Sequence, residues 1–178
     1  ITEAKFDVLG RKIYDEDVFK RRTWFAYDGL GRITRTVKNA VGIAEDGSVN
    51  DPRNPSYSIN AAADMDLVTN TFYNTDGHVQ RVQEIKDIAN VNAYWTLYAY
   101  DDIGRVTREI RNAANAAYYD GEGWSDLSGY GALSPDSDKD LAVTTDYDDL
   151  GRVRTVKDER TGNETYTGYD ELGRVVIT

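Results

Sequence analysis

One six-residue pattern decides most of what this chain can fold into. Tyr27-Asp28-Gly29-Leu30-Gly31-Arg32 returns, whole or in part, at 6–11 (FDVLGR), 73–78 (YNTDGH), 100–105 (YDDIGR), 147–152 (YDDLGR) and 169–174 (YDELGR). A recurring unit of this kind sets an architecture before any single residue does. In each copy the Asp, or Asn74 in the copy at 73–78, sits where a type I turn favours an acceptor side chain, which can take the backbone N–H two residues on. The Gly three positions later sits where the chain must swing to positive φ before re-entering a strand. Trp24, Phe25 and Tyr27 before the turn, and Ile33, Thr34, Thr36 and Val37 after it, are strand formers. Each copy therefore reads as a β-hairpin tip. Asp28, Gly31, Asp101, Gly104, Asp148, Gly151, Asp170 and Gly173 close the turns. Tyr27 and Arg32, Tyr100 and Arg105, Tyr147 and Arg152, and Tyr169 and Arg174 tie the strands. Tyr is expected across from the Arg of its own tip, ring on guanidinium, worth about 0.5–1 kcal/mol when exposed. The Leu or Ile inside the turn predicts a tip that packs against a neighbour.

A second period lies above the first. Gly31 and Gly104 are 73 positions apart, and Gly77 and Gly151 are 74 apart. Thr23-Trp24-Phe25-Ala26-Tyr27 parallels Thr96-Leu97-Tyr98-Ala99-Tyr100, and Asn39-Ala40 parallels Asn112-Ala113. Two stretches break the hairpin pattern, 43–66 and 112–140, rich in Asp, Asn, Ser, Gly and Pro. Both end in Asp-Leu, at Asp66-Leu67 and Asp140-Leu141. The chain thus reads as a duplicated unit of two hairpins, each with one long insertion at an equivalent place. No single hairpin is stable in water, so the hairpins must pair with one another. The expected fold is all-β: tandem β-hairpin repeats in a curved or spiral antiparallel sheet, over 1–178, as a segment of a larger array. Its strand edges would be open to pairing. The start at Ile1, almost within a strand, fits a piece of something longer.

Composition excludes several functions. The chain has no Cys, so no disulfide or thiolate metal site, and a single His, so no conventional zinc cluster. A net charge of −10 argues against a nucleic-acid partner, whose phosphates it repels. No apolar run approaches the roughly 18 residues of a membrane span.

Candidate sites are few. The one His, His78, stands where other tips carry Arg, and it has no evident nucleophile or orienting partner. Most carboxylates belong to turns, so no catalytic residue is assigned. Asp136, Asp138 and Asp140 begin like an EF-hand loop, but Leu141 and Tyr147 stand where Gly and Glu are required. Asp46, Asn50 and Asp51, or Asp120 and Glu122, read more plainly as solvated loop acids than as cation ligands. No metal or cofactor is expected. The second insertion offers Tyr118, Tyr119, Trp124 and Tyr130 beside Asp120, Glu122 and Asp126. Such flat rings with neighbouring acids suit a glycan. They suit better a loop that pins itself to the sheet, with apolar bodies and polar handles. The first insertion has only Tyr57, which weakens a repeated sugar site.

The tips, through Tyr27, Asp28, Gly31, Arg32 and their equivalents, resemble the YD repeats of the Rhs family, which includes bacterial polymorphic toxins, wall-associated proteins and teneurins. The resemblance covers nearly the whole chain apart from the insertions. It implies a hairpin spiral that forms a hollow shell, often around a C-terminal toxin, in a secreted or cell-surface protein. The partners it implies are the rest of a larger polypeptide, an enclosed toxin and, at the repeats, a glycan. The chain departs from that picture in being too short to close a shell and in its long insertions. It also lacks the family's D-P-x-G cleavage motif, since Asp51-Pro52 is followed by Arg53-Asn54. The expected function is structural and non-enzymatic, with a carbohydrate- or protein-binding module as the alternative.

Overall fold

The computed structural model describes residues 3–40, 45–57, 59, 65–85, 93–114 and 127–177. Among them are thirteen strands: β1 Glu3–Phe6, β2 Lys12–Glu16, β3 Arg22–Tyr27, β4 Ile33–Ala40, β5 Leu67–Tyr73, β6 Val79–Ile85, β7 Ala93–Tyr100, β8 Val106–Arg111, β9 Leu141–Tyr147, β10 Val153–Asp158, β11 Glu164–Tyr166, β12 Gly168–Tyr169 and β13 Val175–Ile177. The first eleven are hydrogen-bonded in chain order, and β12 pairs with β13. The pairings described are antiparallel. The expectation of tandem antiparallel hairpins is what the chain adopts. It divides into two compact units, Ile1–Tyr73 with Val82–Tyr94, and Asn74–Arg81 with Trp95–Thr178.

In the first unit the core is a row of side chains running across four strands. Tyr14 lies opposite Trp24, Trp24 opposite Val37, and Val37 opposite Val68. All four are buried, and Trp24 and Val37 are fully so. Strand alternation puts Arg35 on the same face as Val37. A bare sheet would leave that face wet. The insertion after β4 covers it instead: Tyr57 and Ile59 join the row, and the buried Arg35 donates from Nε to the Pro52 carbonyl at 3.0 Å.

The second unit repeats this arrangement with other residues. Leu97 lies opposite Ile110 and Ile110 opposite Ala142. Leu127 and Tyr130, from the insertion after β8, complete the cluster. Arg108, the counterpart of Arg35, donates from Nη1 to the Leu127 carbonyl at 2.6 Å. The 73- and 74-residue periods thus mark two cores built alike, each a strand row capped by its own loop. Where one has Trp24 and Val68, the other has Leu97 and Ala142.

Both loops close the same way. The backbone N–H of Asp66 donates to the Asn39 carbonyl at 3.2 Å, and that of Asp140 to the Asn112 carbonyl at 3.0 Å. All four residues have left-handed backbones, with φ between 48° and 53°. Asn and Asp tolerate that region better than other residues with a Cβ. This explains why the paired Asn-Ala and Asp-Leu dipeptides mark the two ends of each insertion.

Replacing Ile110 with Ala, which opens a cavity under the second loop, should cost about 2–5 kcal/mol. The check is the urea midpoint at unchanged slope. A loss well under about 1 kcal/mol would mean the loop-capped row is not a core.

Candidate functional site: a ladder along the hairpin tips

Every full tip is built around one aspartate. In 27–32, Asp28 Oδ1 accepts from the backbone N–H groups of Leu30 and Arg32, both at 2.9 Å. Its Oδ2 accepts from Arg32 Nε at 2.7 Å. The backbone closes beside it: the Asp28 N–H donates to Arg32 O and the Gly31 N–H to Asp28 O, at 3.0 and 3.1 Å. Gly31 has φ +83°. This is a type I turn followed by a left-handed residue, the three-residue hairpin loop. Asp7, Asp101, Asp148 and Asp170 hold Arg11, Arg105, Arg152 and Arg174 in the same way. At 73–78, Asn74 keeps the two backbone bonds, to Asp76 and His78.

These carboxylates sit below the ordinary value of 3.8. The Arg11 backbone N–H does most to lower Asp7, as do the N–H groups of Arg105 for Asp101 and Arg174 for Asp170. For Asp148 the Arg152 side chain leads. At Asp28 partial desolvation pushes upward, and the Arg32 backbone and side-chain bonds outweigh it.

The arginine does not stack on its own tyrosine, as the spacing predicted. Tyr27 is paired across the strands with Ile33, and Asp28 turns the Arg32 guanidinium sideways, toward the next hairpin. Arg11 lies over Tyr27 at 4.8 Å, Arg32 over Tyr73 at 4.2 Å, Arg105 over Tyr147 at 4.3 Å and Arg152 over Tyr169 at 4.2 Å. His78 fills the same role at the remaining step, stacked on Tyr100 with centroids 4.9 Å apart and planes 24° apart.

Each of these rings has a second anchor. The hydroxyl of Tyr27 donates to Lys12 O, Tyr73 to Ile33 O, Tyr100 to Val79 O, Tyr147 to Val106 O and Tyr169 to Val153 O, at 2.7–2.9 Å. The acceptor is always the residue after the stacking Arg or His. One tyrosine therefore grips the preceding hairpin by its face and its hydroxyl together.

The turn leucines do not pack against a neighbour. Leu30, Ile103, Leu150 and Leu172 are 74–80% exposed, because the third turn position projects beyond the last cross-strand hydrogen bond. The tips pack sideways through Tyr and Arg instead.

Sequence reading missed a tip. Asp17 binds the N–H groups of Phe19 and Arg21 and the Arg21 Nε. Lys20, at φ 64°, stands where the other tips have Gly. The signal present was the Asp-to-Arg spacing of four.

The insertion residues fall differently from the binding expectation. Tyr130, offered as a ligand contact, is 1% exposed and donates its hydroxyl to Asp140 Oδ1 at 2.5 Å. Its face is spent on the core, so a glycan cannot stack there. Tyr57 donates likewise to Asp66, at 3.1 Å. Tyr118, Tyr119, Trp124, Asp120, Glu122 and Asp126 lie outside the described residues. Asp140 also accepts from the backbone N–H groups of Ala114 and Ser134, and Asp136 from that of Asp138. Asp51 is fully buried and binds Arg53. Among the described residues no three His, Asp or Glu side chains are grouped to hold a metal ion.

No family model matches this chain. No curated protein matches it either. Solved structures do. One is a chain of the structure titled "Crystal Structure of TcdB2-TccC3-TEV", 13% identical, with a TM-score of 0.26. The match covers 97% of this chain and 11% of that one.

A Cβ added to Gly104 would stand 2.7 Å from His78 Nε2, on a backbone at φ +83°. At Gly173 the nearest atom is the end of Arg152, at 3.7 Å. Both glycines have a left-handed backbone, so Gly104→Val and Gly173→Val share a penalty of about 1–2 kcal/mol, and Gly104→Val should lower the melting temperature further by the His78 clash. Equal melting curves would count against the His78–Tyr100 step.

Acid should loosen the second loop. Burial works to raise the Asp140 pKa, but the Tyr130 hydroxyl, the two backbone N–H groups and the Arg160 charge outweigh it, leaving the net value lowered. A depressed carboxylate stabilises the fold above its unfolded pKa of about 3.9 and ceases to as pH falls through the folded value. Urea midpoints should fall as pH drops below about 4. Asp140→Asn should start lower at pH 7 and fall less steeply, the rest coming from the tip aspartates. An unchanged slope would remove Asp140 from the acid response.

Proposed function

We propose that the chain is a structural, non-enzymatic segment of a large, secreted or cell-surface YD-repeat protein, forming part of a β-hairpin wall that encloses a toxin or serves as a rigid extracellular scaffold. The observation that carries this reading is the ladder. Five times among the described residues the same tyrosine contact fastens one hairpin to the one before it. The residues with the richest chemistry, the tip Asp, Arg and Tyr, bond to their own turn and to the adjacent hairpin. Their donors and acceptors hold turns and neighbours rather than a substrate.

A wall works mechanically. Each hairpin adds two strands, and the ladder sets how the next one sits. The two loop-capped rows supply the apolar burial that a single-layer sheet lacks. The extracellular setting and the enclosed toxin come from the resemblance of the tips to YD repeats.

The test is the intact mass of the native polypeptide that contains this segment, followed by its limited proteolysis. A chain several times longer, with a region that proteases reach only after denaturation, is expected. A short polypeptide with nothing protected overturns the enclosing wall.

A further inference from the structure

The ladder has one unfilled step among the described residues. The side chains of Arg11, Arg32, Arg105 and Arg152 are 30–31% exposed, each with a tyrosine beneath it. Arg174 is 74% exposed. Asp170 nevertheless holds its Nε at 2.7 Å, as the other tip aspartates hold theirs, so its guanidinium is already oriented with no ring to receive it.

The second half of the slot is also in place. In four of the five filled steps the carbonyl that accepts the tyrosine hydroxyl belongs to a residue whose described pairing is with the ring of its own tip: Lys12 with Phe6, Ile33 with Tyr27, Val106 with Tyr100 and Val153 with Tyr147. Val175 is paired with Tyr169 in the same way. The strand that carries it, β13, is exposed throughout. Its described pairing is with β12 alone.

We propose that Arg174 and Val175 form a docking slot for the tyrosine of a further Tyr-Asp-x-x-Gly-Arg hairpin of the same polypeptide, which pairs along β13. This rests on the reading of the chain as a segment of a longer array, and it names the atoms that receive the next hairpin. Tyrosine is specified because the slot asks for two things at once. It needs a flat ring under the guanidinium and a hydroxyl reaching the Val175 carbonyl. Phe, His and Trp supply only the first.

The probe is a backbone-cyclised peptide with the sequence of residues 141–158, whose own tyrosine makes this contact to Arg105 and Val106. It is added to the isotopically labelled full chain and followed by NMR. The expected result is an upfield ring-current shift at the Arg174 side chain with slowed exchange of the β13 amides. A peptide carrying Tyr147→Phe should bind about 3- to 10-fold more weakly, the loss of one hydrogen bond. Arg174→Ala in the chain should abolish the slowed exchange of the β13 amides on adding the peptide, with the variant's own spectral changes confined to the turn around Asp170, the described partner of that side chain. Arg174→Lys should keep the charge and lose most of the affinity, because the planar stack is gone.

Absence of binding by a cyclised peptide whose own cross-strand NOEs show the hairpin formed, or binding indifferent to Arg174→Ala, overturns the proposal. So do concentration-dependent shifts of the chain alone that Phe6→Ala removes, for these would give the slot to a second copy. None of these outcomes changes the mass or proteolysis of the native polypeptide, so the slot can fail while the wall stands. If the native polypeptide is short while the peptide binds, the wall fails and the contact remains.

Discussion

The structure depends on a carboxylate that does two jobs. One oxygen of each tip aspartate ties two backbone N–H groups and shapes the turn, and the other fixes the direction of an arginine. Without the second bond the guanidinium would be a free, hydrated side chain with several rotamers. With it, the flat cation is set beside the place where the next tyrosine arrives. The turn and the contact between hairpins are therefore one device. This is why a short motif can be repeated with unrelated residues between its copies and still give the same pairing.

Much of this is visible in the residues alone. Asp, Gly and the flanking strand formers locate the tips, and the 73- and 74-residue periods locate the duplicated cores. The direction of the arginine is not visible, because stacking within a hairpin and between hairpins uses the same two residue types. Only the position of the next strand separates them. The Asp17–Arg21 turn is hidden for a different reason: Lys20 accepts a left-handed backbone that pattern reading reserves for Gly. Surrounding strand pairing holds it there despite a cost of about 1–2 kcal/mol. Tyr130 looks like a binding residue because rings beside acids suit both a glycan and a buried latch. Its burial beside Asp140 separates the two.

The insertions change role once seen with the strands. Read as sequence they interrupt a regular pattern. In each unit they supply the second layer that a sheet face needs, and both use the same parts: a strand arginine bonded to a loop carbonyl, a tyrosine on a buried aspartate, and a left-handed Asn–Asp closure. The side chains between these points differ freely. Conserving the closure while varying the filling is what duplication leaves behind when geometry is constrained and volume is not.

His78 shows how much of the ladder is geometry and how much is charge. At this step a histidine replaces the arginine and an asparagine replaces the aspartate, so the tip ion pair is gone. The ring contact survives at 4.9 Å, and the Tyr100 hydroxyl still reaches its carbonyl at 2.7 Å. The flat partner and the hydroxyl anchor are therefore the constant elements, and the cation is one way of supplying the first. Gly104 completes the substitution. His78 packs against a position where any Cβ would collide with it, so the glycine that permits the turn also makes room for the ring that replaces the guanidinium.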